Sequence, residues 1–146
     1  MNPITRAAAA AGLLALTTAC PSQAQPPSRS VWDGVYTAVQ AERGKALYAA
    51  NCALCHGASL SGGDMSPALS GGGFLGAWTG QSVGDLFART RTTMPASNPG
   101  SLGGATVADI TAYLLSTNQF PAGTAELPRD AQVLQQIRID PAPAGK

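Results

Sequence analysis

Residues 52–56 read Cys52-Ala53-Leu54-Cys55-His56, and no other stretch of the chain constrains its structure as strongly. Two thiols at this spacing near a helix end can add to the two vinyl groups of one haem. The next residue, a histidine, then falls under the iron. This C-x-x-C-H arrangement is a signature of c-type haem attachment. The sequence therefore predicts one covalently bound haem c, with thioethers from Cys52 and Cys55 and with His56 as the proximal iron ligand.

Other uses of paired cysteines fit this chain less well. Closed structural zinc sites are tetrahedral and take Cys and His in pairs, whereas only two Cys and a single His follow residue 24. A thioredoxin-type redox pair belongs after a strand in a βαβ frame, and here a helical pattern precedes the motif. A disulfide between Cys52 and Cys55 would be strained and would leave His56 without a role.

The sixth iron ligand follows partly by elimination. His56 is the only histidine, so a second imidazole from this chain is excluded, and a methionine thioether is another usual ligand in electron-transfer cytochromes. Met65 follows His56 so closely that the chain can hardly round the porphyrin edge. Met94 lies much farther on and precedes Pro95, where the backbone must be extended. We therefore predict Met94 as the distal ligand and Met65 as a packing residue.

The segments next to the motif indicate a helix followed by a loop. Residues 38–51 are good helix formers, with Val39, Leu47 and Ala50 recurring on one expected buried face. Residues 57–80 are rich in Gly and Ser, which predicts a long loop. A loop of that length in a compact domain needs something to hold it, and a haem edge would do so.

Two further helices complete a small all-α fold of about three main helices around one haem. The second is predicted to begin after Ser82, with Asp85 in a capping box, and to end before Met94. The third is predicted to begin after Thr106. Its expected buried face comprises Val107, Ile110, Tyr113 and Leu114. A short helix is expected near residues 130–136, and no run alternates convincingly as a strand.

The first residues have the pattern of an export signal. Arg6 gives a short positive region, residues 7–16 form an apolar run, and residues 22–24 offer a small-x-small cleavage pattern. The apolar run is too short for a permanent membrane span, so the sequence predicts a periplasmic protein cut after Ala24. The alternative is a lipoprotein anchored through Cys20, because the preceding residues approach the bacterial lipoprotein pattern.

Composition and segment boundaries narrow the class of protein. Of 146 residues, 45% are hydrophobic but only 5% aromatic, and the formal net charge is +1. Few large apolar side chains give a marginal core, which a porphyrin would complete. No basic stripe suggests nucleic-acid binding. The predicted segments are a signal peptide at 1–24, an N-terminal extension at 25–37, a haem domain at 38–119 and a partly flexible C-terminal extension at 120–146.

These motifs together resemble class I cytochromes c over residues 38–118. The residues that carry the resemblance, besides 52–56, are Gly44-x-x-x-Tyr48, Pro67-Ala68-Leu69, Met94-Pro95 and Ile110-x-x-Tyr113-Leu114-Leu115. In that family a glycine and an aromatic residue of the first helix pack against the last helix, which implies such a role for Gly44 and Tyr48. The resemblance also implies that the carbonyl of Pro67 accepts the Nδ1 proton of His56, a contact that orients the ligand.

The resemblance implies an electron carrier rather than an enzyme, with redox proteins as donors and acceptors. Residues 31–36 and the tail after Phe120 are similar to bacterial cytochromes associated with periplasmic quinoprotein dehydrogenases. This similarity implies such a dehydrogenase and a terminal oxidase as partners. No nucleic-acid partner is expected.

Several interpretations stay open at this point. If Met94 does not hold the iron, the chain is a haem sensor or enzyme that binds O₂, NO, CO or peroxide, although a peroxidase fits poorly without a second histidine. Arg89 and Arg91 either pair with a haem propionate or a partner carboxylate, or they form a solvated helix end. Trp32 and Trp78 either line the haem pocket or pack elsewhere.

Overall fold

The computed structural model describes residues 28–64 and 66–144. The predictions for the signal segment, Cys20 and Met65 lie outside these residues. The described helices are α1 (Ala38–Asn51), α2 (Ala53–His56), α3 (Gly71–Trp78), α4 (Val83–Thr93), α5 (Gly104–Thr117) and α6 (Ala131–Leu134), and the strands are β1 (Arg29–Ser30) and β2 (Ile137–Arg138). The predicted all-α class is confirmed. In these two stretches no helix is both long and apolar enough to cross a membrane.

Helix α1 has the predicted bounds but a different buried face. Thr37 caps its start by accepting a hydrogen bond from the backbone N–H of Gln40 at 3.1 Å. Two of its three predicted residues are wrong, because Val39 is 68% exposed and Ala50 is exposed, whereas Leu47 is half-buried against the core. The buried positions of α1 are Gln40, Ala41, Gly44 and Tyr48. Gly44 selects this face, since only a residue without a side chain lets α5 approach so closely.

Helix α5 forms the other half of the core. It begins at Gly104, with Gly103 as N-cap, and not after Thr106 as predicted. The bond from Val107 N–H to the Gly103 carbonyl, at 3.1 Å, closes its first turn without a side-chain cap. Its buried residues are Val107, Ala108, Ile110, Thr111, Ala112, Leu114 and Leu115, while Tyr113 is half-buried at the rim. Most of the predicted face is therefore buried.

Helix α3 occupies part of the segment that was predicted to be a loop. Gly71 to Trp78 are helical despite several glycines, because Phe74 is fully buried in the core and anchors the segment. The Trp78 ring packs beside it, with ring centroids 6.5 Å apart. Burial of one large side chain here overrides the poor helix propensity of glycine.

The remaining loop, residues 57–70, is held by hydrogen bonds to the end of α5. The buried side chain of Asn118 accepts a bond from Gly71 N–H at 2.9 Å and donates to the Leu69 carbonyl at 3.0 Å. Within the loop, Leu69 N–H donates to the Leu60 carbonyl at 2.8 Å. The loop therefore has support from the protein itself, in addition to whatever a cofactor supplies.

The two terminal extensions pack together on the helical domain. Strands β1 and β2 pair in parallel, so residue 29 lies beside residue 137. Trp32 donates from Nε1 to the Asp140 carbonyl at 3.0 Å and packs edge-on against Phe120, with ring centroids 5.0 Å apart. Buried Gln40 donates to the carbonyl of Leu127 at 3.0 Å and accepts from its N–H at 2.7 Å. The C-terminal extension is thus anchored to the domain at several buried positions, and its strand was not predicted.

Helix α4 is joined to the C-terminal extension at its first turn. The predicted capping box is confirmed: Ser82 Oγ accepts from Asp85 N–H and Asp85 Oδ2 accepts from Ser82 N–H, each at 3.0 Å. Gln135, just after α6, donates from Nε2 to Asp85 Oδ1 at 3.0 Å. These bonds lower the pKa of Asp85 below its ordinary 3.8, with the Gln135 side chain the largest cause and Ser82 next.

This arrangement makes a prediction for stability against pH. A carboxyl whose folded-state pKa is depressed stabilises the fold above its unfolded pKa and loses that contribution as the pH falls. Asp85→Asn should therefore lower the free energy of unfolding at neutral pH by about 0.5 kcal/mol and flatten its decline in acid. Urea denaturation at several pH values measures this. Glu42→Gln, at an exposed position of α1, is the control; an acid profile unchanged by Asp85→Asn would contradict the account.

Candidate haem site

The two cysteines and the histidine share one short turn at the end of α1. Cys52 N–H continues the helix to the Tyr48 carbonyl at 2.8 Å, and His56 N–H bonds the Cys52 carbonyl at 3.0 Å. Cys52 and Cys55 therefore lie one turn apart, where side chains of a helix are neighbours. Both thiols are free; Cys52 is half-buried and Cys55 exposed. The turn can present both sulfur atoms to one planar partner.

The electrostatics of the turn differ from those of a redox-active cysteine pair. Burial raises the pKa of the Cys52 thiol, and the charge of Cys55 raises it further. Burial, followed by the charges of Cys52 and Tyr113, raises the pKa of Tyr48 to about 12. Reactive thiolates have lowered pKa values instead. The environment of Cys52 is thus not that of a reactive thiolate.

His56 has the hydrogen bonding of an oriented metal ligand. Its side chain is buried, at 8% exposure, and Nδ1 lies 2.9 Å from the carbonyl oxygen of Pro67. A carbonyl only accepts hydrogen bonds, so Nδ1 is the donor in this contact and Nε2 is the ring nitrogen left to bind a metal. Such a bond to the second ring nitrogen is what fixes the tautomer and direction of a ligating histidine. With two free thiols on the same turn, these residues fit a covalently held haem.

The Pro67 carbonyl is brought to His56 by a turn that the sequence analysis did not single out. Gly62 N–H donates to the His56 carbonyl at 3.0 Å, and Gly62 has a φ of 75°. A methyl group at Gly62 would lie 2.5 Å from the Ser66 carbonyl oxygen and 2.8 Å from the Pro67 carbonyl carbon. The Gly62-Gly63 pair, a common turn signal, could have pointed to this position.

Gly62→Ala should therefore lower the free energy of unfolding by more than the strain of placing alanine at a positive φ. A non-glycine residue at positive φ loses about 1–2 kcal/mol, and Gly100→Ala, at a φ of 78° with its nearest neighbour 3.9 Å away, is the matched control for that loss. The additional displacement of Ser66 and Pro67 should weaken the bond to His56. We expect a lower melting temperature than in the control and a shifted haem absorption spectrum, which the control keeps unchanged. Equal behaviour of the two variants would contradict the role of Gly62.

Met94 lies at the end of α4 as its C-cap. Its backbone is extended, as predicted, with φ −118° and ψ 152°, and its N–H bonds the Thr90 carbonyl at 3.0 Å. The side chain is half-buried. Arg89 and Arg91 on the preceding turn are both exposed. The role of Met94 as an iron ligand stays a prediction.

The contacts of the two tryptophans are with other parts of the protein and not with Cys52, Cys55 or His56. Trp32 joins the two terminal extensions through Asp140 and Phe120. Trp78 packs on Phe74 within α3. Packing is therefore the role that these contacts support for both residues.

A surface depression of about 490 Å³ lies away from the predicted site residues. It is lined by α1, the start of α5 and the C-terminal extension, and Arg43 forms ion pairs there with Asp109 at 3.0 Å and Glu126 at 2.9 Å. Exposed pairs of this kind contribute little to stability. Among residues 28–64 and 66–144, no group of three or more His, Cys, Asp or Glu side chains is arranged to hold a metal ion.

Comparison with known proteins identifies a family for this chain. The family model described as "Cytochrome C oxidase, cbb3-type, subunit III" matches residues 39–114, which is more than half of the chain. No curated protein shows significant sequence similarity to this chain. Among solved structures, it is similar to the sulfane dehydrogenase SoxCD from Paracoccus pantotrophus, with a TM-score of 0.49 and 23% identity over 82% of this chain and 67% of that chain.

The matched range begins in α1, contains the C-x-x-C-H turn and ends in α5, so it includes the helix pair that forms the core as well as the candidate haem site. The fold described above is the small all-α fold expected of such a domain. The chain therefore belongs to this family of class I c-type cytochromes, whose domain implies a haem c and haem-based electron transfer.

Proposed function

We propose that this chain is a mono-haem electron carrier that shuttles single electrons between periplasmic or membrane redox partners. Cys52 and Cys55 hold the haem through thioethers, and His56 and Met94 are the axial ligands. The observation that carries the proposal is the 2.9 Å contact between His56 Nδ1 and the Pro67 carbonyl, on the same turn as two free thiols. When bound, the haem supplies one-electron redox chemistry.

The side chains of this protein would hold the haem and orient its ligands. Pro67 would keep the imidazole in one tautomer, which leaves Nε2 as the nitrogen that would hold the iron. Met94, at an extended and half-buried position, supplies a thioether, a ligand that raises the reduction potential. If His56 and Met94 both hold the iron, the residues would leave no position for a small substrate. This arrangement suits an electron carrier and not an enzyme.

Location and partners follow from the sequence signals. Cleavage after Ala24 would release the protein into the periplasm, and acylation of Cys20 is the alternative, which would tether it to a membrane. The donors and acceptors are redox proteins, with a periplasmic quinoprotein dehydrogenase as a candidate donor. The description of the matched family names an oxidase subunit, which supports a terminal oxidase among the acceptors.

Exposure of the ferrous protein to CO tests the proposal. The protein is matured in a periplasm with haem-ligation machinery, and its reduced absorption spectrum is recorded before and after CO is added. We expect no change in the wild type, because Met94 blocks the distal position. Met94→Ala should open that position, and its spectrum should change fully on addition of CO.

Met65→Ala is the matched control, because it removes the other candidate thioether and should behave like the wild type. Rapid CO binding by the wild type would contradict the electron-carrier proposal and favour a gas-binding protein. A CO response in Met65→Ala but not in Met94→Ala would move the distal ligand to Met65.

A further inference from the structure

Asn118 is a buried amide whose hydrogen bonds join the end of α5 to the loop before α3. The residue is only 9% exposed. Its side-chain oxygen accepts from Gly71 N–H at 2.9 Å, and its side-chain nitrogen donates to the carbonyls of Leu69 at 3.0 Å and Leu114 at 2.8 Å. Both ends of the amide are therefore satisfied in one orientation. A buried amide bonded in this way fixes the two segments of backbone against each other.

We propose that Asn118 is a positioning residue, which places the Pro67 carbonyl and so sets how strongly His56 donates to the haem iron. This inference rests on the proposed function, because it concerns the strength of His56 as a ligand in the haem-loaded protein. The hydrogen bonds of Asn118 go to the loop, and the bond of His56 goes to Pro67. Asn118 would thus act on the ligand through Pro67.

The chain around the Pro67 carbonyl is held on both sides. Just before it, the Ser66 carbonyl accepts from Gly63 N–H at 2.9 Å. Two positions after it, the Leu69 carbonyl accepts from Asn118. The backbone has only two soft dihedral angles per residue, so a fixed carbonyl at Leu69 leaves the Pro67 carbonyl little freedom to move.

The two partners of the His56 bond are anchored to different helices. His56 lies in the turn that follows α1, whereas Pro67 lies in the loop that Asn118 fastens to the end of α5. Helices α1 and α5 cross closely at Gly44. The geometry of this crossing is carried to the ligand through Asn118, and loss of its bonds would leave the loop free to shift relative to α5.

The Pro67 contact controls the electron donation of His56. A carbonyl that accepts the Nδ1 proton makes the imidazole more basic, and a more basic ligand stabilises ferric iron over ferrous iron. Displacement of that carbonyl should therefore raise the reduction potential of the haem. The potential separates a positioning role from a merely structural one, since a loss of stability alone does not change the basicity of the ligand.

Asn118→Ala, compared with Gln40→Ala in the haem-loaded protein, tests the proposal. Gln40 is the matched control because it is also a buried amide bonded to backbone, here to both groups of Leu127. It lies about 18 Å along α1 from Cys52, at about 1.5 Å per residue. Both variants should lower the melting temperature by similar amounts.

A redox titration followed by the haem absorption gives the first readout. At a fixed ambient potential, Asn118→Ala should raise the ratio of ferrous to ferric protein by about 3-fold, which is about 28 mV at about 59 mV per tenfold change. Gln40→Ala should keep the potential of the wild type.

Hydrogen exchange in the wild type gives a second readout that needs no variant to fold. Gly71 N–H and His56 Nδ1–H should exchange through one shared local opening, with the same dependence on added denaturant, because Asn118 links their surroundings. Asn118→Ala should speed exchange at His56 Nδ1 by about 10-fold or more, whereas Gln40→Ala should leave it unchanged.

An unchanged potential in a destabilised Asn118→Ala protein would overturn the proposal, and so would an equal shift in Gln40→Ala. Independent exchange of Gly71 N–H and His56 Nδ1–H in the wild type would overturn it as well. Failure of the proposed function is distinct, because it appears as missing haem or as CO binding in the wild-type protein.

Discussion

Replacement of Gly44 by valine should lower the free energy of unfolding by about 3 kcal/mol or more, a large part of the total stability of about 5–15 kcal/mol that is typical of folded domains. Gly44 lies where α1 meets α5. A methyl group there would overlap the carbonyl oxygen of Asp109 and lie 2.9 Å from Cβ of Tyr113. The overlap is with backbone, so no change of side-chain rotamer relieves it and the two helices must separate.

Denaturant unfolding of the haem-loaded protein, followed by circular dichroism, measures the loss. Gly104→Ala is the matched control, because a methyl group at that first residue of α5 would meet its nearest neighbours at 3.5 and 3.6 Å, an ordinary contact distance. Alanine also favours a helix over glycine by about 1 kcal/mol at most, so this variant should be as stable as the wild type or slightly more stable. A Gly44→Val protein within about 1 kcal/mol of the wild type would contradict the close crossing of α1 and α5.

The second large effect concerns the two thiols. Cys52→Ser with Cys55→Ser should remove all haem from the polypeptide on a denaturing gel, because a hydroxyl does not form the thioether that survives denaturation. Each single variant should retain a reduced amount, held by the remaining sulfur. Haem-dependent peroxidase staining of the gel band measures this result.

Ala58→Ser is the control for the double cysteine variant, since it adds a hydroxyl at an exposed position just after the motif and should leave the staining unchanged. Haem that stays with the doubly substituted chain through denaturation would show that attachment uses other residues. The proposed site would then be wrong at its first step.

Local signals in the sequence predicted local structure well. The helix from residue 38 to residue 51 and the capping box of Ser82 and Asp85 depend on neighbours within a few positions, and both are confirmed. The C-x-x-C-H turn is likewise a local pattern, and its histidine makes the implied contact with the Pro67 carbonyl. The extended backbone at Met94 follows from the proline after it.

Features that depend on distant partners could not be predicted in the same way. The buried face of α1 is set by the contact of Gly44 with α5, so a count of apolar residues selected Val39 wrongly. Helix α3 forms although its start is rich in glycine, because Phe74 reaches the core. Asn118 holds the loop through Leu69 and Gly71, nearly fifty positions away along the chain. Neither spacing nor propensity carries such information.

The contacts of the terminal extensions also join residues that are far apart in the sequence, so the sequence did not predict them. Trp32 bonds the carbonyl of Asp140 across 108 positions, and Gln40 bonds the backbone of Leu127 across 87. The partners of Trp32 and Gln40 could not be identified from the sequence. The sequence likewise does not identify the residues that anchor the tail, which are the buried side chains of Phe120, Leu127, Leu134, Ile137 and Ile139.

The intact mass of the protein, matured in a periplasm with haem-ligation machinery and measured under denaturing conditions, tests the central claim most directly. Denaturation removes any haem that is held only by packing or by axial ligands, so a retained haem must be covalent. The account predicts a single species with the mass of the processed chain plus one haem. A chain without haem, or one carrying more than one, would contradict the assignment of Cys52, Cys55 and His56 as the site of a single covalent haem.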